Sequence, residues 1–273
     1  MNKYKVAAIQ MASGPNVSPN LTEVGRLIDY AVKQQANLIV LPENFAIMPV
    51  VETERIKAAE DYTSGPIQDF VASKAVQHGV WIVAGTIGIK SLDGARIHSA
   101  SILFNDAGEI VARYDKMHLF DVRLESGEEY TESRVFEAGN EVIVAETPFG
   151  GLGIAVCYDL RFPELFRAML DKGANIFAVP SAFTARTGKA HWEILVRARA
   201  VENLAYVIAA GQGGYHVSGR ETHGDSMIVN PWGEILDRLP RGSGVVIASV
   251  DLDMQKRIRA SLPSIDHRRL RSS

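Results

Sequence analysis

Ala36-Asn37-Leu38-Ile39-Val40-Leu41-Pro42-Glu43-Asn44-Phe45 and Ala174-Asn175-Ile176-Phe177-Ala178-Val179-Pro180-Ser181-Ala182-Phe183 share one pattern. Each reads Ala-Asn, a mainly apolar run, then Pro-x-x-Phe. A continuous apolar run of this length, closed by a breaker, is the signature of a fully buried strand. A second pair follows in the same order. Residues 102–110, Ile-Leu-Phe-Asn-Asp-Ala-Gly-Glu-Ile, echo residues 227–235, Met-Ile-Val-Asn-Pro-Trp-Gly-Glu-Ile. Both are an apolar run, a tight turn ending in Gly and another apolar run, which is a hairpin pattern.

Working outward, residues 5–9 and 152–156 are strand-like and open the two halves. Helical periodicity follows each, through Leu27, Ala31 and Val32 in the first and Leu165, Met169 and Leu170 in the second. Pro163 suits the first turn of the second of these helices. Residues 80–85 and 205–211 are further buried-strand candidates. The spacing is too long for a solenoid. The expected fold is α/β: one domain over residues 1–273, built of two similar halves, each a sheet covered by helices.

The chain has 273 residues, 47% hydrophobic and 22% charged, within the range of a globular protein. Lys and Arg total 29 against 32 Asp and Glu, a net charge of -3. That balance leaves no basic footprint for nucleic acid or an anionic membrane. No apolar run approaches the roughly 18 residues of a membrane span. Gln10 interrupts the apolar N-terminal stretch, which reads as a first buried strand, and the expected location is the cytoplasm. The single cysteine excludes an intrachain disulfide and any multi-thiolate metal site.

Glu43 directly follows a buried run, and a carboxylate there needs compensation. It is either an acid/base at the end of a strand, where open α/β sheets meet their ligands, or a carboxylate capping a backbone amide. Cys157 holds the corresponding place in the second half, after residues 152–156. It is a nucleophile or a structural core thiol; near a helix N-terminus its thiolate would be favoured. Lys116 stands among apolar and aromatic residues in Arg113-Tyr114-Asp115-Lys116-Met117-His118-Leu119-Phe120. It is a solvated lysine or a cation held in a site. Together the three types have a chemical logic: a base, a thiol nucleophile and a cation for a developing oxyanion. The polar stretch 120–135 is a loop over a site or a solvated connection.

These segments resemble the nitrilase superfamily of carbon–nitrogen hydrolases. Leu41-Pro42-Glu43-Asn44-Phe45 is similar to its glutamate motif. Tyr114-Asp115-Lys116-Met117-His118-Leu119-Phe120-Asp121 is similar to its lysine motif, and residues 153–164, Gly-Ile-Ala-Val-Cys-Tyr-Asp-Leu-Arg-Phe-Pro-Glu, to its cysteine motif. They occur in the family order, and the likeness runs from about Tyr4 to Arg269. The resemblance implies an α-β-β-α sandwich, usually doubled in a homodimer or higher homo-oligomer, with a C-terminal extension from about residue 253. It implies a thioester mechanism with Glu43 as general base, Cys157 as nucleophile and Lys116 as oxyanion stabiliser. The Tyr158 backbone N–H would be a second oxyanion donor. Glu132 resembles the family's additional glutamate, orienting Lys116 or the substrate, unless it is a surface carboxylate.

Pro180-Ser181-Ala182-Phe183, Thr187-Gly188, His191-Trp192-Glu193 and the ending Leu262-Pro263-Ser264-Ile265-Asp266-His267 resemble the branch of deaminated-glutathione amidases and ω-amidases. The implied substrate is a small α-keto acid amide: deaminated glutathione, cleaved to α-ketoglutarate and Cys-Gly, or α-ketoglutaramate. Arg161 would grip its carboxylate, unless it pairs with Asp159 or Glu164, and Phe183 and Thr187 would line the same pocket. Arg197 and Arg199 read as helix-face or interface residues. The histidines form no metal-binding spacing, so neither metal nor cofactor is expected. The alternative outside enzymology is a ligand-binding or scaffold protein that keeps the fold without catalysis.

Overall fold

The computed structural model describes residues 3–92, 94–123, 127 and 129–270. The first half begins with β1 (Lys3–Gln10), α1 (Val17–Lys33), β2 (Leu38–Val40), the short α2 (Thr53–Lys57), α3 (Pro66–His78) and β3 (Trp81–Lys90). The hairpin β4 (Ile97–Phe104) and β5 (Ile110–Asp115) follows, then the small hairpin β6 (Asp121–Arg123) and β7 (Glu129–Thr131). The second half contains β8 (Val144–Thr147), β9 (Gly150–Ile154), α4 (Pro163–Asp171), β10 (Ala174–Ser181), α5 (Ala185–Asn203) and β11 (Tyr206–Gly211). After the small hairpin β12 (Gly213–Tyr215) and β13 (Glu221–His223) come β14 (Ser226–Val229), β15 (Ile235–Leu239), β16 (Gly244–Asp251) and α6 (Leu252–Ser261).

Two six-stranded sheets result, ordered β16-β1-β2-β3-β4-β5 and β8-β9-β10-β11-β14-β15 when the second is read from its other edge. In each, three central parallel strands continue into an antiparallel hairpin, with an antiparallel strand at the opposite edge. The quoted echo is therefore β2 against β10, and the hairpin echo is β4–β5 against β14–β15. The edge strand β16 comes from the end of the chain and pairs with β1 along its whole length, so the last strand completes the first sheet.

Side-chain alternation along the strands builds the layers. Val6, Ala8, Leu38 and Val40 join the core shared with the second sheet, against Ile154, Ala178 and Ile208. Ala7, Ile9, Ile39 and Leu41 turn the other way and pack with Val24, Leu27 and Ile28 of α1 and Val71 and Ala75 of α3. That set on α1, extended by Ala31, has the spacing of one helical face. Phe166 and Met169 of α4, and Trp192 and Val196 of α5, cover the second sheet. This is the expected α-β-β-α sandwich. Pro66 and Pro163 each start a helix, and Gly79 ends α3 in the left-handed conformation, φ 61°. No described helix is long and apolar enough to cross a membrane.

One expectation needs correction. Cys157 is not the counterpart of Glu43. Glu43 follows β2, whose partner in the repeat is β10, so its counterpart is Ser181. Cys157 follows β9, the partner of β1; Val6 pairs with Leu38 as Leu152 pairs with Ile176, so its counterpart is Met11. Both strand ends look alike in sequence because every central strand ends in an apolar run; only the pairing order tells them apart.

Candidate active site

The Glu43 loop is held at its backbone on three sides. The Leu41 amide donates to the Val83 carbonyl at 3.0 Å, and the Gln212 side chain donates to the Glu43 carbonyl at 3.0 Å. The Asn44 amide donates to the Thr86 hydroxyl at 2.9 Å. Asn44 takes φ 59°, a costly conformation for a non-glycine residue, and the Arg55 guanidinium holds its side-chain oxygen at 2.6 Å. Gly85 of β3 lies so close beneath that a Cβ there would sit 2.0 Å from the Pro42 carbonyl oxygen. Glu43 is thus aimed by its neighbours, and it is buried.

Lys116 follows the last residue of β5 and is 1% exposed. Its ammonium donates to Glu43 Oε1 at 2.9 Å and to the Glu132 oxygens at 2.8 and 3.0 Å. Glu132 opens a 3-10 turn, Glu132–Arg134, and also accepts from the Phe120 amide at 2.8 Å. The stretch 120–135 therefore folds over the site, although Leu124, Glu125, Ser126 and Glu128 lie outside the described residues. Burial works against the Lys116 ammonium, but the charges of Glu132, Glu43 and Cys157 outweigh it and raise its pKa. Glu132 shows the converse: burial opposes its ionised form, and the Lys116 charge and hydrogen bond override burial and lower its pKa.

Cys157 is the first residue of a 3-10 turn, Cys157–Arg161, and has φ 51°. The turn is pinned by Asp159, which is fully buried. Its carboxylate accepts from the Val156 amide at 2.8 Å, the Tyr114 hydroxyl at 2.7 Å and the His118 amide at 3.1 Å, and meets His118 Nδ1 at 2.7 Å. Asp159 thereby ties the turn carrying Cys157 to the strand and loop carrying Lys116. On the far side Arg199 donates to the Leu160 carbonyl at 3.0 and 2.8 Å. Arg199 is a buried clamp on the inner face of α5, which keeps its reading as a helix-face residue and sets aside the interface one. Arg197 is partly exposed and donates to the Gly233 carbonyl at 2.9 Å.

The thiol does not gain its expected help from a helix N-terminus, because the 3-10 turn separates it from α4. Burial raises its pKa well above the ordinary value and the Glu43 charge raises it further; Lys116 and a backbone hydrogen bond with Ala182 act in the opposite sense. The resting nucleophile candidate is a neutral thiol.

One cavity, with about 350 Å³ of space, gathers Glu43, Lys116, Glu132, Cys157, Tyr158, Arg161, Phe183 and Thr187, the eight residues given catalytic, oxyanion or substrate-binding roles from sequence. Arg161 pairs with neither Asp159 nor Glu164 among the described contacts. Its guanidinium lies 5.8 Å from the Tyr158 ring centre and 5.4 Å from that of Phe183, and reaches His191 Nδ1 at 3.2 Å. Thr187 shares a 2.8 Å hydroxyl hydrogen bond with Thr184, the N-cap of α5. Sequence reasoning missed Arg220, which lines the same cavity, and the holding roles of Asp159, Gln212 and Arg55. Those roles depend on contacts across the fold, which local spacing does not encode. No group of His, Cys, Asp and Glu able to hold a metal occurs among the described residues.

Fold and cavity together define a hydrolase of carbon–nitrogen bonds. The chain belongs to the carbon–nitrogen hydrolase family, matched over residues 5–260, and is an amide hydrolase. It is 42% identical over 271 residues to the deaminated glutathione amidase of Synechocystis sp., covering 98% of this chain and 99% of that one. The crystal structure of the C. elegans NitFhit protein superposes with a TM-score of 0.92 at 34% identity, covering 98% of this chain and 65% of that longer one. Saccharomyces cerevisiae Nit3, a member of branch 10 of the nitrilase superfamily, gives a TM-score of 0.88 at 30% identity, covering 98% and 97%.

Proposed function

We propose that this enzyme cleaves the side-chain amide of an α-keto acid through a Cys157 thioester, with deaminated glutathione as substrate and α-ketoglutarate and Cys-Gly as products. The observation that carries this reading is the buried Lys116 ammonium between Glu43 and Glu132, in the cavity that also holds Cys157 and Arg161. Glu43 takes the thiol proton as Cys157 Sγ adds to the amide carbonyl carbon. A raised thiol pKa suits this order, in which the proton leaves during attack. The oxyanion is held by Lys116 Nζ and the Tyr158 backbone N–H. Collapse breaks the C–N bond, and Glu43 returns the proton to the departing amine. Glu43 then deprotonates water, which adds to the thioester; the C–S bond breaks and the thiolate regains a proton. Glu132 keeps Lys116 in place throughout.

Arg161 holds the α-keto acid carboxylate, stacked between Tyr158 and Phe183 with Thr187 alongside. The name of the Synechocystis relative supports deaminated glutathione over α-ketoglutaramate. We read residues 1–273 as one catalytic domain with a C-terminal extension from about residue 253, acting in the cytoplasm as a homodimer or higher homo-oligomer. The exposed Ile194 and Val201 on α5, with Trp232 on the turn packed against it, supply an apolar contact surface.

Release of α-ketoglutarate from deaminated glutathione and from α-ketoglutaramate, measured side by side with Cys157→Ala as control, tests the assignment. The expected result is a higher kcat/KM for deaminated glutathione. Preference for α-ketoglutaramate makes the protein an ω-amidase, and no Cys157-dependent release from either sinks the substrate assignment.

A further inference from the structure

Two cations of the cavity make no direct ion pair among the described residues, although the Arg220 charge acts on Glu132 from further off. Lys116 is flanked by Glu43 and Glu132, but Arg161 and Arg220 form no ion pair within 4 Å. Arg220 follows Gly219 in the turn between β12 and β13, where the His216 amide donates to the Arg220 carbonyl. One guanidinium nitrogen, Nη2, donates to the Ala182 carbonyl at 2.8 Å. Its Nε is buried and has no hydrogen-bond partner. A guanidinium has five donors in a planar fork, and a buried unpaired donor is costly. Arg220 is thus built into the wall with donor capacity to spare.

Its position has a direction. The Arg220 guanidinium lies 5.4 Å from the Tyr130 ring centre. Phe120 meets Tyr130 at 5.2 Å and Tyr158 at 5.0 Å, and Arg161 covers Tyr158. The two guanidinium groups are therefore linked through a chain of three ring residues that are in successive contact. Arg220, Phe120 and Glu132 also line a neighbouring open groove, together with Tyr130.

The geometry points to Arg220 as a second carboxylate site, receiving the carboxylate of the leaving amine. This rests on the reading that Arg161 holds the acyl end. The enzyme is then matched to a dianionic amide whose departing amine is an amino acid or short peptide with a free C-terminus. A primary amide leaves Arg220 unpaired, and so does a peptide whose terminus is blocked.

The test compares kcat/KM for deaminated glutathione and for its C-terminal carboxamide. Wild type favours the free acid by about tenfold or more, expressed mainly in KM. Arg220→Gln brings the ratio close to one, and Arg220→Lys retains part of it. Equal kcat/KM in wild type, or an unchanged ratio in Arg220→Gln, overturns the proposal. A companion measurement needs no turnover: protection of Cys157 from iodoacetamide by Ala-Gly and by Ala-Gly carboxamide. Wild type is protected more by the free acid, and Arg220→Gln protects equally with both. If neither amide is hydrolysed, the substrate reading fails, and the protection ratio alone decides for or against Arg220.

Discussion

The two halves repeat the same sheet, yet they contribute different things to the cavity. The first half supplies Glu43 after β2 and Lys116 after β5; the second supplies Cys157 after β9. At the counterpart positions stand residues committed to holding the halves together. Met11, the counterpart of Cys157, bridges to Gln212, and its carbonyl accepts from the Gly213 amide at 2.9 Å. Ser181, the counterpart of Glu43, uses its hydroxyl on the Val179 carbonyl at 3.3 Å, while its carbonyl accepts from the Gln212 amide. Gln212 in turn binds Ser13 and the Glu43 carbonyl. On the proposed mechanism the repeated scaffold carries acid–base chemistry from one copy and a nucleophile from the other, while the counterpart positions Met11 and Ser181 hold the chain at Gly213 and Gln212.

The sharpest way to break this comparison is to alter one reactive residue and one counterpart position. Cys157→Ala is expected to lower kcat/KM on the order of 10⁴-fold or more while the fold persists. Ser181→Ala costs about 1 kcal/mol of stability, the worth of a buried hydrogen bond, and leaves no comparable kinetic loss. Steady-state kinetics and urea unfolding of both variants decide it. A Ser181→Ala rate loss approaching that of Cys157→Ala would place chemistry at a position assigned to packing.

Next in size is Lys116→Ala, expected to slow acylation by about 10²–10³-fold in single-turnover kinetics, with a smaller effect on substrate binding. Unchanged acylation removes the oxyanion role. The same variant sharpens the electrostatics. In wild type the iodoacetamide reaction of Cys157 climbs only at pH above the ordinary thiol range, because burial and then Glu43 hold the proton on. Removing the Lys116 charge takes away an influence that favours the thiolate, so the curve moves to still higher pH. Movement to lower pH would show that Glu43 and Lys116 act on the thiol in the reverse sense.

Asp159→Asn tests the link between the halves. It is expected to cost about 2–3 kcal/mol, because a charged acceptor of buried hydrogen bonds is lost. It lowers kcat as well, since the turn with φ 51° at Cys157 and the loop after Lys116 are tied through this one carboxylate. Denaturation with an unchanged kcat in the folded fraction would make Asp159 a stabiliser only.

How much of this could be read in advance follows from where the information lies. The two similar α/β halves were legible because β2 and β10 end alike and both hairpins turn on Gly, whereas the α-β-β-α sandwich followed from the family resemblance. Glu43, Lys116 and Cys157 were legible because their neighbours in the chain form motifs. Residues 5–9 and 152–156 were matched as the openers of the two halves, yet Cys157 was still set against Glu43, since apolar strands differ little in composition and register depends on the whole sheet. Asp159 was visible as part of a motif, but its partner Tyr114 lies 45 residues away. Gln212 reaches Ser13 across 199 residues, a separation no local pattern reports. The Cys157 pKa was not legible for a related reason: proximity to a helix start is written in the chain, whereas burial belongs to the packed molecule.

Glu132 gives the finest test, because it belongs to neither copy. It lies on the connection between β7 and β8, so no repeat supplies it, and it alone among the charged neighbours of Lys116 is partly exposed, its side chain at 24%. Its pKa is lowered in the folded protein, with burial opposed and overcome by Lys116. A carboxylate held this way stabilises the fold fully above its unfolded pKa of about 4.3, and that contribution fades as pH falls through the lower folded value. Glu132→Gln is therefore expected to be less stable than wild type by about 1 kcal/mol between pH 5 and 7, with the gap narrowing below about pH 4. Thermal melting of the two proteins across that range measures it. A gap that widens toward acid would mean that Glu132 takes up a proton more readily in the folded protein than in the unfolded chain. Lys116 would then be held by the first half alone, through Glu43, and the connecting segment would serve to cover the cavity and not to set its charge.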